Sequence, residues 1–316
     1  MAAHDPTEAA QRTFVLSGAS GLVGSALAEL LEASGHKVLR LVRRDARTAT
    51  EVRWDPGHGE IEAEKLHGAF SFIHLSGENV GEGRWTDERK RAFLESRTKT
   101  TDLVARTIAS MDPKPASFVS ASAVGYYGFD RNELADESAK RGGGFLAELC
   151  DAWEAASAPA KDAGVRTVNV RLGVVLSKDS GALAKMLPIF RMGGGGSVGG
   201  GRQIMSWISL GDAVRGFHFA AEREDLSGPV NLVAPNPVDN RTFAKTLGAV
   251  LHRPAIVPVP AFALELAFGQ MARETVLASQ NVTPKKLLDA GFEFEHPHLE
   301  DALRSELGRW SRPPAG

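Results

Sequence analysis

Short apolar runs recur along the first two-thirds of the chain, each closed by a turn signal and followed by apolar residues at three- and four-residue spacing. The first run, Phe14 to Leu16, leads straight into Gly18, Gly21 and Gly24 and then into a helix-period segment from Leu22 to Leu31. That order predicts strand, tight turn and helix. Gly35 stands where a C-terminal cap is expected, and Lys37 to Val42 (KVLRLV) reads as a second strand, so the stretch fits a βαβ unit. Glu51 to Asp55 reads as an edge strand or merely extended chain before the turn at Pro56 and Gly57. Ala69 to Leu75 is apolar enough for burial on both faces, as in central parallel strands. Trp85 to Ser110 has helical spacing with a charged face, and Ser117 to Ser122 reads as the next strand. Gly144 to Ala163 then reads as helix and Arg166 to Leu176 (RTVNVRLGVVL) as one apolar strand. The alternation predicts an α/β fold of the Rossmann type, built on a doubly wound parallel sheet.

Beyond that strand the pattern changes. Ser180 to Ile208 does not alternate cleanly, and Met192 to Gly201 (MGGGGSVGGG) holds seven glycines, which reads as a loop. A helix over Asp212 to Ala221 and a strand over Pro229 to Val233 look like a return to the sheet, followed by helices at Arg241 to Leu251 and Ala261 to Phe268. The expected organisation is a tail over residues 1–12, a dinucleotide-binding domain over 13–178 whose sheet is completed by 212–233, and a smaller mixed C-terminal substrate-facing region formed by 179–211 and 234–310. Residues 311–316 are expected to be disordered.

Glycine at the first turn has a physical purpose. The strand must reverse into a helix while its backbone comes within contact distance of a ligand phosphate, and a side chain blocks both. In NAD-binding versions an acidic residue closes the second strand and accepts from the ribose hydroxyls; here the strand ends in Arg43 and Arg44. A guanidinium there suits a 2′-phosphate, so NADP(H) is favoured over NAD(H). Two solvated surface arginines are the bland alternative.

Charge and cysteine content narrow the partners. With 37 basic and 39 acidic residues the net charge is −2, which argues against nucleic acid or an anionic membrane bound through bulk electrostatics. A single cysteine, Cys150, allows no internal disulfide and reads as a buried, inert thiol. Without a signal-peptide pattern or a spanning apolar run, the expected location is cytoplasmic. His296 and His298 are close together but lack a supporting cysteine or carboxylate cluster, so no metal site is expected.

The spacing G-A-S-G-L-V-G at Gly18 to Gly24 resembles the extended short-chain dehydrogenase/reductases, the group that includes nucleotide-sugar epimerases. HLSGEN (His74 to Asn79), SRTKTT (Ser96 to Thr101), SASAVGYYG (Ser120 to Gly128), RLGVVL (Arg171 to Leu176), GRQIMSWISLGD (Gly201 to Asp212) and NLVAPNPV (Asn231 to Val238) follow in order, and are similar to an atypical YfcH-like branch. The resemblance covers about residues 13 to 305. It implies that the pyrophosphate lies on Gly18, Ser20, Gly21, Leu22, Val23 and Gly24 and the adenosine phosphate at Arg43, with Arg44 beside it. Further cofactor contacts are implied at Leu75, Ser76, Gly77, Arg97, Ser120 and Val175, and a homodimer through helices near residues 92–110 and 145–160.

The catalytic set departs from the family. Typical members use a serine, a tyrosine and a lysine four residues after it, the lysine lowering the tyrosine pKa so that the phenolate exchanges a proton during hydride transfer. Ser122 matches the serine, but Tyr126 and Tyr127 are followed at that spacing by Asp130 and Arg131, and the family position of the pair falls at Phe145 and Leu149. Three readings stay open. Tyr126 or Tyr127 acts as a displaced acid or base helped by Ser122; or the protein binds NADP(H) and a partner without turnover, as a regulatory or assembly factor; or the substrate brings its own acid–base group. Gln203, Ser206 and Trp207 are candidates to line the pocket of a small polar substrate, with a core anchor the alternative for Trp207.

Overall fold

The computed structural model describes residues 11–308; residues 1–10 of the tail expected over 1–12, and the tail expected at 311–316, lie outside the described residues, while Gln11 and Arg12 are neither helix nor strand and Arg12 pairs with Glu222. The first part of the chain forms β1 (Thr13–Ser17), α1 (Leu22–Ala33), β2 (Lys37–Val42), β3 (Glu51–Asp55), β4 (Glu60–Ile61), β5 (Ser71–His74), α2 (Asp87–Ser110) and β6 (Ser117–Ala123). Then come β7 (Asp130–Ala135), α3 (Phe145–Ala155), α4 (Ala158–Asp162), β8 (Arg166–Leu172), β9 (Val174–Leu176), α5 (Gly181–Arg191), β10 (Ile204–Met205), β11 (Trp207–Ser209), α6 (Leu210–Glu222) and β12 (Gly228–Leu232). The chain closes with β13 (Val238–Asp239), α7 (Asn240–Leu251), α8 (Ala261–Phe268), α9 (Gln270–Glu274), β14 (Ser279–Val282), α10 (Lys285–Asp289) and α11 (Leu299–Glu306).

The main sheet has the order β12-β8-β6-β5-β1-β2-β3-β4, parallel except for the β3–β4 hairpin. β5 is buried at every position, as its unbroken apolar character requires. One face of the sheet packs Phe14, Ile73 and Val168 against Leu27 and Leu31 of α1 and Phe217 of α6. The other packs Val15, Phe72 and Phe118 against Val104 and Ile108 of α2 and Ala160 of α4. Helices on both faces make the sheet doubly wound. α2 starts two residues later than its pattern suggests because Thr86 caps it, its side chain accepting from the Arg89 N–H at 3.2 Å.

Three departures from the sequence reading have local causes. The helix expected over Gly144 to Ala163 is two helices, because Pro159 lacks an N–H and is tolerated only in the first turn of a new one, α4. The strand expected over Arg166 to Leu176 breaks at Gly173: β8 stays in the main sheet while β9 pairs with β11. Glycine is required at that break, since a Cβ would stand 2.7 Å from the Ser206 carbonyl oxygen. The irregular segment after Ser180 contains an unforeseen helix, α5, with Leu183, Leu187 and Phe190 buried. Trp207, wholly buried, packs there among Leu187, Phe243 and Leu247.

Candidate functional site

β1 is where the strand order turns, with β2 and β3 to one side and β5, β6, β8 and β12 to the other. Open α/β sheets leave a crevice at such a point, at the carboxyl ends of the strands. Ser17 sits opposite His74 across β1 and β5, so Gly18 and Leu75 leave the sheet side by side. Gly18 has φ +70°, and a Cβ on it would stand 2.8 Å from the Leu75 carbonyl carbon. At Gly24 a Cβ would meet the Gly18 carbonyl oxygen at 2.1 Å. Gly21 caps α1 with extended backbone and no side-chain hydrogen bond, and the first turn carries no acidic residue. Ser20 and Gly21 are exposed, with Leu22 and Val23 half-buried behind them. Uncapped N–H groups at a helix start, approached by backbone alone, make an anion site.

The two arginines after β2 separate in role. Arg44 forks onto Glu51, its Nη1 donating to Oε2 at 2.8 Å, and this hydrogen bonding is the main reason the Glu51 carboxyl titrates at about 2. Arg43 is exposed and makes no ion pair or side-chain hydrogen bond among the described residues. On the far side of the crevice Ser76 is half-buried and Gly77 exposed. Arg97 is buried beneath them, Nη2 donating to the Glu78 carbonyl at 2.8 Å and Nη1 to the Phe93 carbonyl at 3.1 Å, while its Nε has no hydrogen-bond partner among the described residues. Ser120 is fully buried in β6, and Val175 is half-buried against the core in β9.

Below the crevice lies a buried polar chain that the sequence reading missed. Ser122 Oγ donates to Glu154 Oε1 at 2.8 Å, and Glu154 is gripped by Arg171 through Nε at 2.8 Å and Nη2 at 2.9 Å. Arg171 Nη1 donates to the Tyr127 hydroxyl at 3.0 Å, which itself donates to Asn231 Oδ1 at 2.7 Å. Tyr127 is buried, and burial is the main cause of its raised pKa. Tyr126 differs. It is half-buried, its ring lies 3.4 Å under the Arg171 guanidinium carbon, and its hydroxyl makes no hydrogen bond among the described residues.

The positions of the missing tyrosine and lysine are apolar in fact as well as in sequence. Leu149 is buried with Trp85, Phe93 and Met271, and the Phe145 ring packs on Trp85 at 5.3 Å. Buried Glu274, from the C-terminal part of the chain, accepts the Leu146 N–H at 2.9 Å and so caps α3. Cys150 is buried and its thiol is pushed up to about 12, chiefly by burial. Of the three residues expected to line a substrate pocket, Gln203 lines a cavity of about 420 Å³ together with Arg202, Arg273, Phe129 and Ser279. Ser206 and Trp207 are interior instead: Ser206 Oγ donates to the Gln280 carbonyl at 2.7 Å and Trp207 Nε1 to the Asn236 carbonyl at 3.0 Å. Neither Arg202 nor Arg273 makes an ion pair among the described residues, and Phe129 abuts Gly144 at the start of α3.

His74 is buried between Ser17 Oγ at 2.7 Å and Thr100 Oγ1 at 3.2 Å, and burial lowers its pKa from 6.5 to about 3. The unfolded chain takes up a proton there that the folded chain refuses. Stability from this residue is therefore complete above pH 6.5 and is lost as pH falls toward 3, by about 1.4 kcal/mol per pH unit. Urea titrations of the wild type and His74→Gln across that range measure the difference, and parallel curves would refute it.

The NAD-dependent epimerase/dehydratase model matches residues 14–233, from β1 through the last strand of the main sheet. The chain belongs to the NAD-dependent epimerase/dehydratase family. A domain of unknown function, DUF1731, matches residues 259–306. Epimerase family protein ML0860 of Mycobacterium leprae is 41% identical over 91% of this chain and 93% of its own length. Among solved structures, human epimerase family protein SDR39U1 with NADPH has 31% identity and a TM-score of 0.85, covering 94% of this chain and 100% of that one. A nucleoside-diphosphate sugar epimerase from Corynebacterium glutamicum has 36% identity and a TM-score of 0.78 over 95% of this chain and 59% of its own. As a family member the chain is an NAD(P)-binding protein of the extended short-chain dehydrogenase/reductase group. No helix among the described residues is long and apolar enough to cross a membrane.

Proposed function

We propose that this chain is an NADP(H)-dependent oxidoreductase or epimerase-like enzyme acting on a small polar substrate that carries an anionic group. The observation that carries the reading is a backbone cradle at Gly18 to Gly24 with an unpaired guanidinium, Arg43, at the end of the neighbouring strand. The cradle fits a dinucleotide pyrophosphate, because the space a Cβ would need at Gly18 and Gly24 is already taken by backbone and α1 offers uncapped N–H groups. Arg43 fits a 2′-phosphate, and Arg44, already engaged by Glu51, is the less available of the two. The NADPH in the human relative supports this choice.

The nicotinamide, when bound, supplies hydride transfer. The chain's own residues bind it, hold the substrate and handle the proton. Tyr126 is our candidate for the proton, since its hydroxyl is unpaired and Arg171 stacked on the ring fixes its direction. Ser122 and Tyr127 have their hydroxyls committed to Glu154 and Asn231 and act as positioning residues. Arg202 and Arg273 would meet a carboxylate or phosphate in the cavity beside the start of α3.

Titration with NADPH and NADH, followed by nicotinamide fluorescence, tests the reading directly. Arg43→Ala is expected to weaken NADPH about 10- to 100-fold, as loss of a charge-assisted contact does, and to leave NADH nearly unchanged. An equal loss for both, or no binding to the wild type, would overturn it. Tight NADPH binding with no turnover of phosphorylated or carboxylated substrates would favour a regulatory binding protein. The burial of Leu149, and of Phe145 against Trp85, keeps that second reading open.

A further inference from the structure

At the opposite edge of the sheet, where the strands begin, three side chains from distant parts of the chain converge. His36 precedes β2, and His218 and Glu222 lie one turn apart on α6; one ligand atom of each falls within 4.8 Å of the other two. His218 Nε2 stands 3.5 Å from Glu222 Oε2. Two atoms each about 2.1 Å from a common tetrahedral zinc stand about 3.4 Å apart, so this pair already has the spacing of a shared ion. The Nε2 atom is buried and makes no hydrogen bond of ordinary geometry among the described residues.

The rings are held in place. Phe14 packs against His36 at 5.2 Å and against His218 at 5.7 Å, and the two imidazoles face each other edge-on at 5.7 Å. Arg12 Nη1 holds Glu222 Oε1 at 2.8 Å and so orients the carboxylate, leaving Oε2 toward His218. The Arg12 backbone N–H donates weakly to His36 Nδ1 at 3.4 Å. An i, i+4 pair on a helix joined by a third ligand from elsewhere is a recurrent zinc arrangement.

We propose that His36, His218 and Glu222 bind a zinc-class divalent cation, with a fourth position left to water, clipping α6 to the turn before β2. The site stands apart from the glycine cradle and does not rest on the proposed redox chemistry. Its effect is to tie the helix entering β12 to the first βαβ unit.

The test uses the full chain without an affinity tag, stripped with chelator and titrated with Co2+ and Zn2+. A single equivalent of Co2+ giving the intense visible absorption of tetrahedral coordination, displaced by Zn2+, is the expected result. His36→Ala and His218→Ala should each weaken binding by at least ~100-fold, while His67→Ala, at an exposed site, should not. Glu222→Gln, at the rim, should weaken it about tenfold. Absence of stoichiometric binding in the wild type, or binding that survives both histidine substitutions, would overturn the proposal and leave the cluster as aromatic packing.

Discussion

Arg171→Met is expected to lower the unfolding free energy by about 3–5 kcal/mol, the usual cost of stripping one partner from a buried ion pair. Arg171 has 3% side-chain exposure and Glu154 13%, so water cannot take the place of the missing guanidinium. The substitution also removes one contact of the Tyr127 hydroxyl and the cation stacked on Tyr126. Urea unfolding measures the loss. The double variant Glu154→Leu/Arg171→Met should recover at least half of it, because no charge is then left buried alone. A single variant within about 1 kcal/mol of wild type would mean that solvent reaches the pair and that the chain from Ser122 to Asn231 is not a rigid support.

Gly24→Ala is expected to weaken NADPH binding by about 100-fold or more and to cost about 1–3 kcal/mol of stability. The added methyl would lie 2.1 Å from the Gly18 carbonyl oxygen and 2.9 Å from Ala19 Cα, both backbone atoms that no rotamer change can move. Either the turn or the start of α1 must shift, and the N–H groups lose their common aim. Cofactor titration and a denaturation midpoint on the same variant separate the two effects. Gly35→Ala, where no atom lies within 4 Å of the new Cβ, is the control: its φ of +83° makes it destabilising without touching the cofactor. Wild-type NADPH affinity in Gly24→Ala would refute the cradle.

What the sequence made legible is what is local. The first βαβ unit, the burial of β5 and the glycine spacing each follow from a few neighbouring residues, and the structure has them where the pattern put them. The family motifs extended that reach along the chain. What was hidden depends on partners far away. β7 has an unremarkable polar sequence, DRNELA, and becomes a strand only because β14 pairs with it from about 150 residues later. Glu154 looks like one more helix charge until the fold sets it against Arg171, and His218 and Glu222 look like surface until His36 arrives from the first βαβ unit. Ser206 misled in the other direction, while Trp207 took its alternative as a core anchor. Their motif marks a junction that is interior, and both residues serve packing and backbone hydrogen bonds there.

The late return of β12 and β14 also constrains how the protein can be made. During synthesis β8 emerges long before β12 covers its outer edge, and β7 waits until Ser279–Val282 has been translated. The Glu274 that caps α3 arrives later still than β12. A nascent chain therefore carries open strand edges and an α3 start without its Glu274 cap until these later segments are made. A chain stopped before Ser279 leaves the β7 edge without its partner strand, so it is a sticky intermediate rather than a smaller working protein.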